Sequence, residues 1–143
     1  MTVNIFDDLI NSVIDCFNKA FDFETRSTRK EFWYFKLFQI LVMLSLFFFE
    51  NLGINGLIFL FSIIIIIPDL SISVRRLHDV SKSGFWLIPN IIFSVIFTMN
   101  PAFILSLMEN QLNRFILLTY SLYLLYLFCK NSTEGINNFG SPR

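Results

Sequence analysis

The side chains able to do chemistry gather in two short blocks. One runs Arg75-Arg76-Leu77-His78-Asp79 and on through Lys82 and Ser83-Gly84 to Trp86; the other is Arg26-Ser27-Thr28-Arg29-Lys30-Glu31. Arginine presents a planar fork of donors that suits a carboxylate or a phosphate. Two chemistries are open to such blocks: internal ion pairs, with Glu31 meeting Arg75 or Arg76 and Asp79 meeting Arg26 or Arg29, or capture of an anionic group by the surplus positive charge. Internal pairing is the stronger expectation, because ion pairs at helix ends are common. His78 is the sole histidine. One imidazole beside one carboxylate is too small a set for a metal, and no nucleophile is partnered with it. It reads as a hydrogen-bonded loop residue, with proton handling alongside Asp69 or Asp79 as the weaker alternative. No catalytic residue, metal site or cofactor is expected.

The elements that must position these blocks are very apolar. Of 143 residues, 55% are hydrophobic and only 15% charged, against about 45–50% and 25% in soluble domains. Mean hydropathy is +0.62, which points to a membrane protein. The formal net charge is zero, so nothing draws the chain to nucleic acid. Cys16 and Cys129 stand too far apart for a CxxC site, a zinc site or a disulfide framework, and read as two buried or interfacial thiols. Asp7, Asp8 and Asp15 interrupt what would be the apolar core of a secretory signal.

From residues 1 to 22, Ile5, Phe6, Leu9, Ile10, Val13, Ile14, Phe17, Ala20 and Phe21 recur at helical spacing opposite Asp7, Asp8, Asn11, Asp15, Asn18 and Lys19. The acidic polar face favours a helix packed on the bundle's cytoplasmic end over one laid in the membrane interface. Membrane-spanning helices are expected at about 32–49, 57–74, 85–99 and 115–129. Lys36 should extend its ammonium back to the headgroups, and Pro68-Asp69 should not end the second helix. A turn is expected at Glu50, Asn51, Gly53, Asn55 and Gly56, a break at Asn100-Pro101, and a last turn or interfacial piece over Ala102 to Leu107. Tyr120, Tyr123 and Tyr126 form a packing stripe whose hydroxyls need partners such as Asn90 or Ser94. The fold class is therefore all-α, a single integral membrane domain of four transmembrane helices preceded by an amphipathic helix, with a tail at 130–143. Four crossings place Lys19, Arg26, Arg29, Lys30, Lys36, Arg75, Arg76, Lys82, Lys130 and Arg143 on one side and Arg114 on the other, so both termini should be cytoplasmic.

Three blocks then share that surface: Phe23 to Trp33, Arg75 to Trp86, and Gly135-Ile136-Asn137-Asn138-Phe139-Gly140 in the tail. Their patterns, R-x-x-R-x-E-F-W, R-R-L-H-D-x-x-x-S-G-x-W and G-x-N-x-[FY]-G in that order, resemble the signatures of the YhaH/YhaI-type bacterial inner-membrane proteins, a family catalogued as a domain of unknown function (DUF805). The resemblance covers about Phe23 to Gly140. It departs at Thr25, where glycine is usual, which puts a tight turn there in doubt, and after Gly140, where an aspartate and proline are usual and Ser141 and Pro142 stand. It implies a multipass inner-membrane protein without an established reaction. The reading is a non-enzymatic interaction or lipid-associated membrane protein, with anionic phospholipid headgroups, a second copy or another membrane protein as partners. Its candidate cluster is Arg26, Arg29, Glu31, Arg75, Arg76, His78 and Asp79. A small oligomeric transporter or channel is the alternative, although no inverted repeat marks one.

Overall fold

The structure, a computed structural model, describes residues 5–51 and 56–141. Every regular element among them is helical: α1 (Ile5–Asn18), α2 (Arg29–Asn51), α3 (Leu57–Asp79), a 3-10 turn (Gly84–Leu87), α4 (Ile88–Met99), α5 (Pro101–Glu109) and α6 (Gln111–Cys129). α2, α3 and α6 are each long and apolar enough to cross a membrane. A fourth candidate exists if the stretch Gly84–Met99 and α5, bent by 117° at their junction, counts as one span. Gly53 and Asn55 of the expected turn, and Pro142 and Arg143 of the tail, lie outside the described residues.

The helices outrun the apolar stretches that announced them, because polar caps set their ends. Thr28 and Glu31 form a reciprocal box: the Thr28 hydroxyl accepts from the Glu31 amide at 3.2 Å and the Glu31 carboxylate from the Thr28 amide at 3.0 Å. At the start of α3, the Glu50 carboxylate at the end of α2 accepts from the Ile58 amide at 3.1 Å. Asn110 caps α6 through the Leu112 amide, which starts that helix at Gln111 rather than about 115. α3 runs through Pro68 and on to Asp79. Arg75 to Asp79 is thus its last turn rather than a loop, and His78 is a helical residue. Ser81 ends the helix in the left-handed region at φ 59°, with Lys82 donating its amide back to the Leu77 carbonyl at 2.8 Å. Asn100 breaks the chain by accepting from the Phe103 amide at 3.0 Å; with Pro101 in its first turn, α5 is a helix of its own rather than a last turn of α4.

Burial is concentrated at one end of the bundle. Cys16, Phe32, Phe35 and Ile72 form one cluster, and Leu77, Leu87, Leu124 and Leu127 a second. The remaining surfaces of α2 to α6 expose many large aliphatic and aromatic side chains, far more than a water-facing surface tolerates. α1 packs against α2 and α3 through only part of its apolar face, with Val13 against the buried cluster and the Phe17 ring edge-on to Phe35 and Phe38 of α2. Its buried positions are Ser12 and Cys16, with Ala20 just beyond its end, while Phe6, Ile10, Ile14 and Phe21 are exposed. Small residues let the helix approach α3 closely, the Cys16 thiol lying 3.6 Å from the Pro68 carbonyl.

Two polar side chains of the spans find partners across helices. The Lys36 ammonium bonds the Asp69 carboxylate, which also accepts from Gln39 Nε2 at 2.7 Å. The Tyr120 hydroxyl donates to the Trp86 carbonyl rather than to Asn90 or Ser94. Tyr123 packs on Trp86 with ring centroids 5.2 Å apart, whereas Tyr126 is exposed.

Gly84 of the Ser83-Gly84 turn is where the 3-10 turn passes closest to α3. A Cβ there would stand 3.0 Å from both methyls of Val74, a β-branched side chain with little rotamer freedom. Gly84→Ala is expected to lower the thermal unfolding midpoint in detergent by the equivalent of about 1–3 kcal/mol. An unchanged midpoint would contradict the close approach.

Candidate functional site

At the buried end everything converges on Asp79. Its carboxylate is 2% exposed, and its Oδ1 accepts from Arg26 Nε at 3.1 Å and Nη2 at 3.0 Å. Oδ2 accepts from Arg76 Nη1 and from the Ser132 hydroxyl. A carboxylate offers about four lone-pair sites, and these four donors fill them. One negative charge shared by two buried guanidinium groups leaves a positive excess, which has to be met by neutral acceptors.

Main-chain carbonyls of the tail and of α6 meet it. Arg26 donates to Gly135 O at 2.9 Å, Gly140 O at 3.2 Å and Thr133 O at 2.7 Å. Gly135 and Gly140 adopt φ of 78° and 105°, the left-handed region open to glycine at no steric cost, and the chain between them closes through reciprocal hydrogen bonds of Asn137 and Gly140. Arg76 donates to Phe128 O at 3.1 Å and to Lys130 O, and Arg29 to Cys129 O at 3.3 Å. Three successive carbonyls at the C-terminus of α6, left without helical partners, are therefore capped by two arginines, which also suit the negative end of the helix dipole.

The remaining motif residues lock the same junction. Phe139 stacks on His78 with centroids 3.8 Å apart and planes at 5°. Asn137 Nδ2 lies 2.9 Å from His78 O and 3.0 Å from Thr133 Oγ1. The Thr133 amide donates to Asp79 O at 2.9 Å. Arg75 is buried too, and its carbonyl accepts from the Ser27 amide at 3.1 Å. The Ser27 hydroxyl in turn donates to Glu31 at 3.1 Å, so Ser27 links the Glu31 carboxylate to the Arg75 backbone.

The doubtful turn at Thr25 forms without glycine. Asp22 accepts from the Glu24 and Thr25 amides, each at 3.1 Å, and from the Thr25 hydroxyl, an arrangement that lets an aspartate side chain imitate a backbone turn. Burial raises the pKa of the Asp22 carboxyl, but these hydrogen bonds and the Arg75 charge outweigh it and hold the group below its ordinary value. The turn's contribution is thus present at neutral pH and fades as the pH falls through that lowered pKa. Ser71 of α3 anchors the same loop, its hydroxyl lying 2.8 Å from Lys19 O and 2.7 Å from Asp22 O.

The family described as "Protein of unknown function (DUF805)" matches residues 20–141, which span all three blocks. The chain belongs to the DUF805 family. It is also 27% identical over 122 residues to "Inner membrane protein YhaI" of Escherichia coli strain K12, covering 83% of each chain. The same figures hold for the protein of that description from Escherichia coli O157:H7. No solved structure matches the chain. With its membrane-length helices, this DUF805 protein is a multipass protein of the bacterial inner membrane.

In this DUF805 chain, then, the candidate cluster divides. Arg26, Arg76, His78 and Asp79 meet in one buried junction, Arg75 lies beside it, Glu31 caps α2, and Arg29 stays at the surface. Ser132, Thr133 and the Asp69 partner Gln39 carry no charge and belong to no motif block, so nothing in their residue types marked them in advance.

Proposed function

We propose that this protein works without catalysis, as a membrane scaffold whose charge cluster is a structural clamp holding the tail, the loop before α2 and the ends of α3 and α6 as one rigid cap. The observation that carries this is the burial of Arg26 and Arg76, 2% and 0% exposed, with their donors engaged by Asp79 and by main-chain carbonyls. An arginine cluster built for an exchangeable ligand would keep donors open to it. In this reading four spans cross the membrane, both termini are cytoplasmic, Glu31 pairs with Arg75, and the exposed apolar stripe of α1 rests in the inner-leaflet interface. The cap is the surface offered to a second copy or to another membrane protein.

A second reading, a small transporter or channel built from several copies, draws on one specific feature. Asp69 and Gln39 line a cavity of about 300 Å³ between α2 and α3, and intramembrane ionisable groups often mark pathways. Ion or solute flux into proteoliposomes above that of empty vesicles would favour it; the scaffold reading expects none.

The orientation is checked by the two thiols. Cys129 is exposed at the end of α6, whereas Cys16 is buried, and its burial pushes the thiol up to about 12, far from the reactive thiolate. A membrane-impermeant maleimide is expected to label Cys129 in inside-out vesicles but not in intact spheroplasts, and Cys16 in neither until the protein is denatured. Labelling of Cys129 from outside would sink the cytoplasmic assignment.

A further inference from the structure

The clamp removes Arg26, Arg75 and Arg76 from the surface, but it leaves a different basic feature beside it. Arg29 and Lys30 stand in the first turn of α2, outside the buried junction. With Trp33, Tyr34 and Cys129 they line an open cavity of about 390 Å³. Arg29 gives one donor to Cys129 O, and its other donors are unengaged among the described residues. Lys30 bridges Asp8 at 2.5 Å and lies 5.6 Å from the centre of the Tyr34 ring, so the local balance of these three charges is one positive.

The order of residues below the cavity matters as much as the charges. Along one side of α2, Arg29 and Lys30 are followed a turn later by Trp33 and Tyr34, then by Leu37, Ile40, Leu41 and Leu44, all four exposed and spaced three to four apart so that they share a face. Cation, amphipathic aromatic ring, then aliphatic surface is the polarity profile of a phospholipid read from headgroup to acyl chain. A free phosphate would use the first of these layers alone.

We propose that this cavity binds the headgroup of an anionic phospholipid, with its phosphate on Arg29 and Lys30, its glycerol region against Trp33 and Tyr34, and an acyl chain along Leu37 to Leu44. The site rests on the cytoplasmic placement of the charged end under the scaffold reading and deepens the lipid-associated one, moving it from the buried arginines to exposed ones.

Native mass spectrometry of the full chain, released from detergent containing equal phosphatidylglycerol and phosphatidylcholine, tests it. The wild type is expected to retain phosphatidylglycerol in preference. R29Q/K30Q should lower that retention about thirtyfold, since each of the two cations near a lipid surface contributes roughly 1 kcal/mol. Arg29→Lys should keep most of it, and Lys82→Gln, at a cation that lies over Trp86 instead, should keep all of it. Equal retention by R29Q/K30Q, or an equal loss in Lys82→Gln, overturns the site. Displacement of the lipid by millimolar inorganic phosphate overturns the lipid assignment in favour of a free anion. If lipid retention fails while Cys129 labels only from the cytoplasmic side, the site alone falls; if Cys129 labels from outside, the underlying placement falls with it.

Discussion

Asp79→Asn is expected to destabilise the protein by about 3–5 kcal/mol, the cost of leaving buried charge without its counter-ion. The change is nearly isosteric, so no cavity forms. It removes the negative charge that both Arg26 and Arg76 face and replaces one acceptor oxygen with an amide that donates. Arg76 Nη1 or the Ser132 hydroxyl, both on Oδ2, or Arg26 on Oδ1, would then meet a donor. Against a total stability of about 5–15 kcal/mol, the expected loss is large. Thermal denaturation in detergent should show a much lower midpoint or no folded protein at all. A midpoint within a degree or two of the wild type would mean that the junction is not held by this carboxylate.

The second large effect lies within the spans. Lys36 and Asp69 pair on facing helices, and either one alone among apolar neighbours in a bilayer is costly, by about 2.5–3.5 kcal/mol for Lys or Asp at a helix centre. Lys36→Met and Asp69→Leu are each expected to destabilise by a few kcal/mol. The double variant should recover most of that, because well-packed apolar residues often replace a buried pair without loss. The coupling is read from a double-mutant cycle of unfolding midpoints in phospholipid nanodiscs. Additive losses would show that the two side chains do not depend on each other. The same double variant separates the two functional readings: a scaffold tolerates it, whereas a pathway lined by Asp69 loses its flux.

How far the residues alone reached depends on what leaves a mark in a sequence. The helices were visible as apolar runs, because a lipid-facing helix needs only sustained hydrophobicity. Their ends were not, since Thr28 with Glu31, and Asn110, set them through single hydrogen bonds that a hydropathy pattern does not weigh. Opposite charge made a pairing between Arg26 and Asp79 conceivable from the start. That the other donors of Arg26 and Arg76 go to Thr133, Gly135, Gly140, Phe128 and Lys130 could not be foreseen, because a carbonyl carries no signature of its residue type. Once those bonds are known, the tail block becomes intelligible residue by residue. Gly135 and Gly140 turn carbonyls toward Arg26, Asn137 holds the end of α3, and Phe139 covers His78. On α1 the apolar stripe is only partly buried: Val13, Phe17 and Ala20 meet the bundle, and close approach to α3 adds Ser12 and Cys16, small side chains that a hydropathy pattern does not weigh.

If the clamp fastens the tail, Arg26→Lys should loosen the tail and leave the bundle intact. Lysine keeps the charge facing Asp79 but cannot reproduce the fork that reaches Thr133, Gly135 and Gly140 together. Hydrogen–deuterium exchange of the full chain in detergent should show the Thr133, Asn137 and Gly140 amides, all hydrogen-bonded in the junction, protected in the wild type. In the variant these three amides should exchange at rates approaching those of an open chain while the amides of α2, α3 and α6 stay protected. Unchanged protection at those three amides in Arg26→Lys would contradict the clamp.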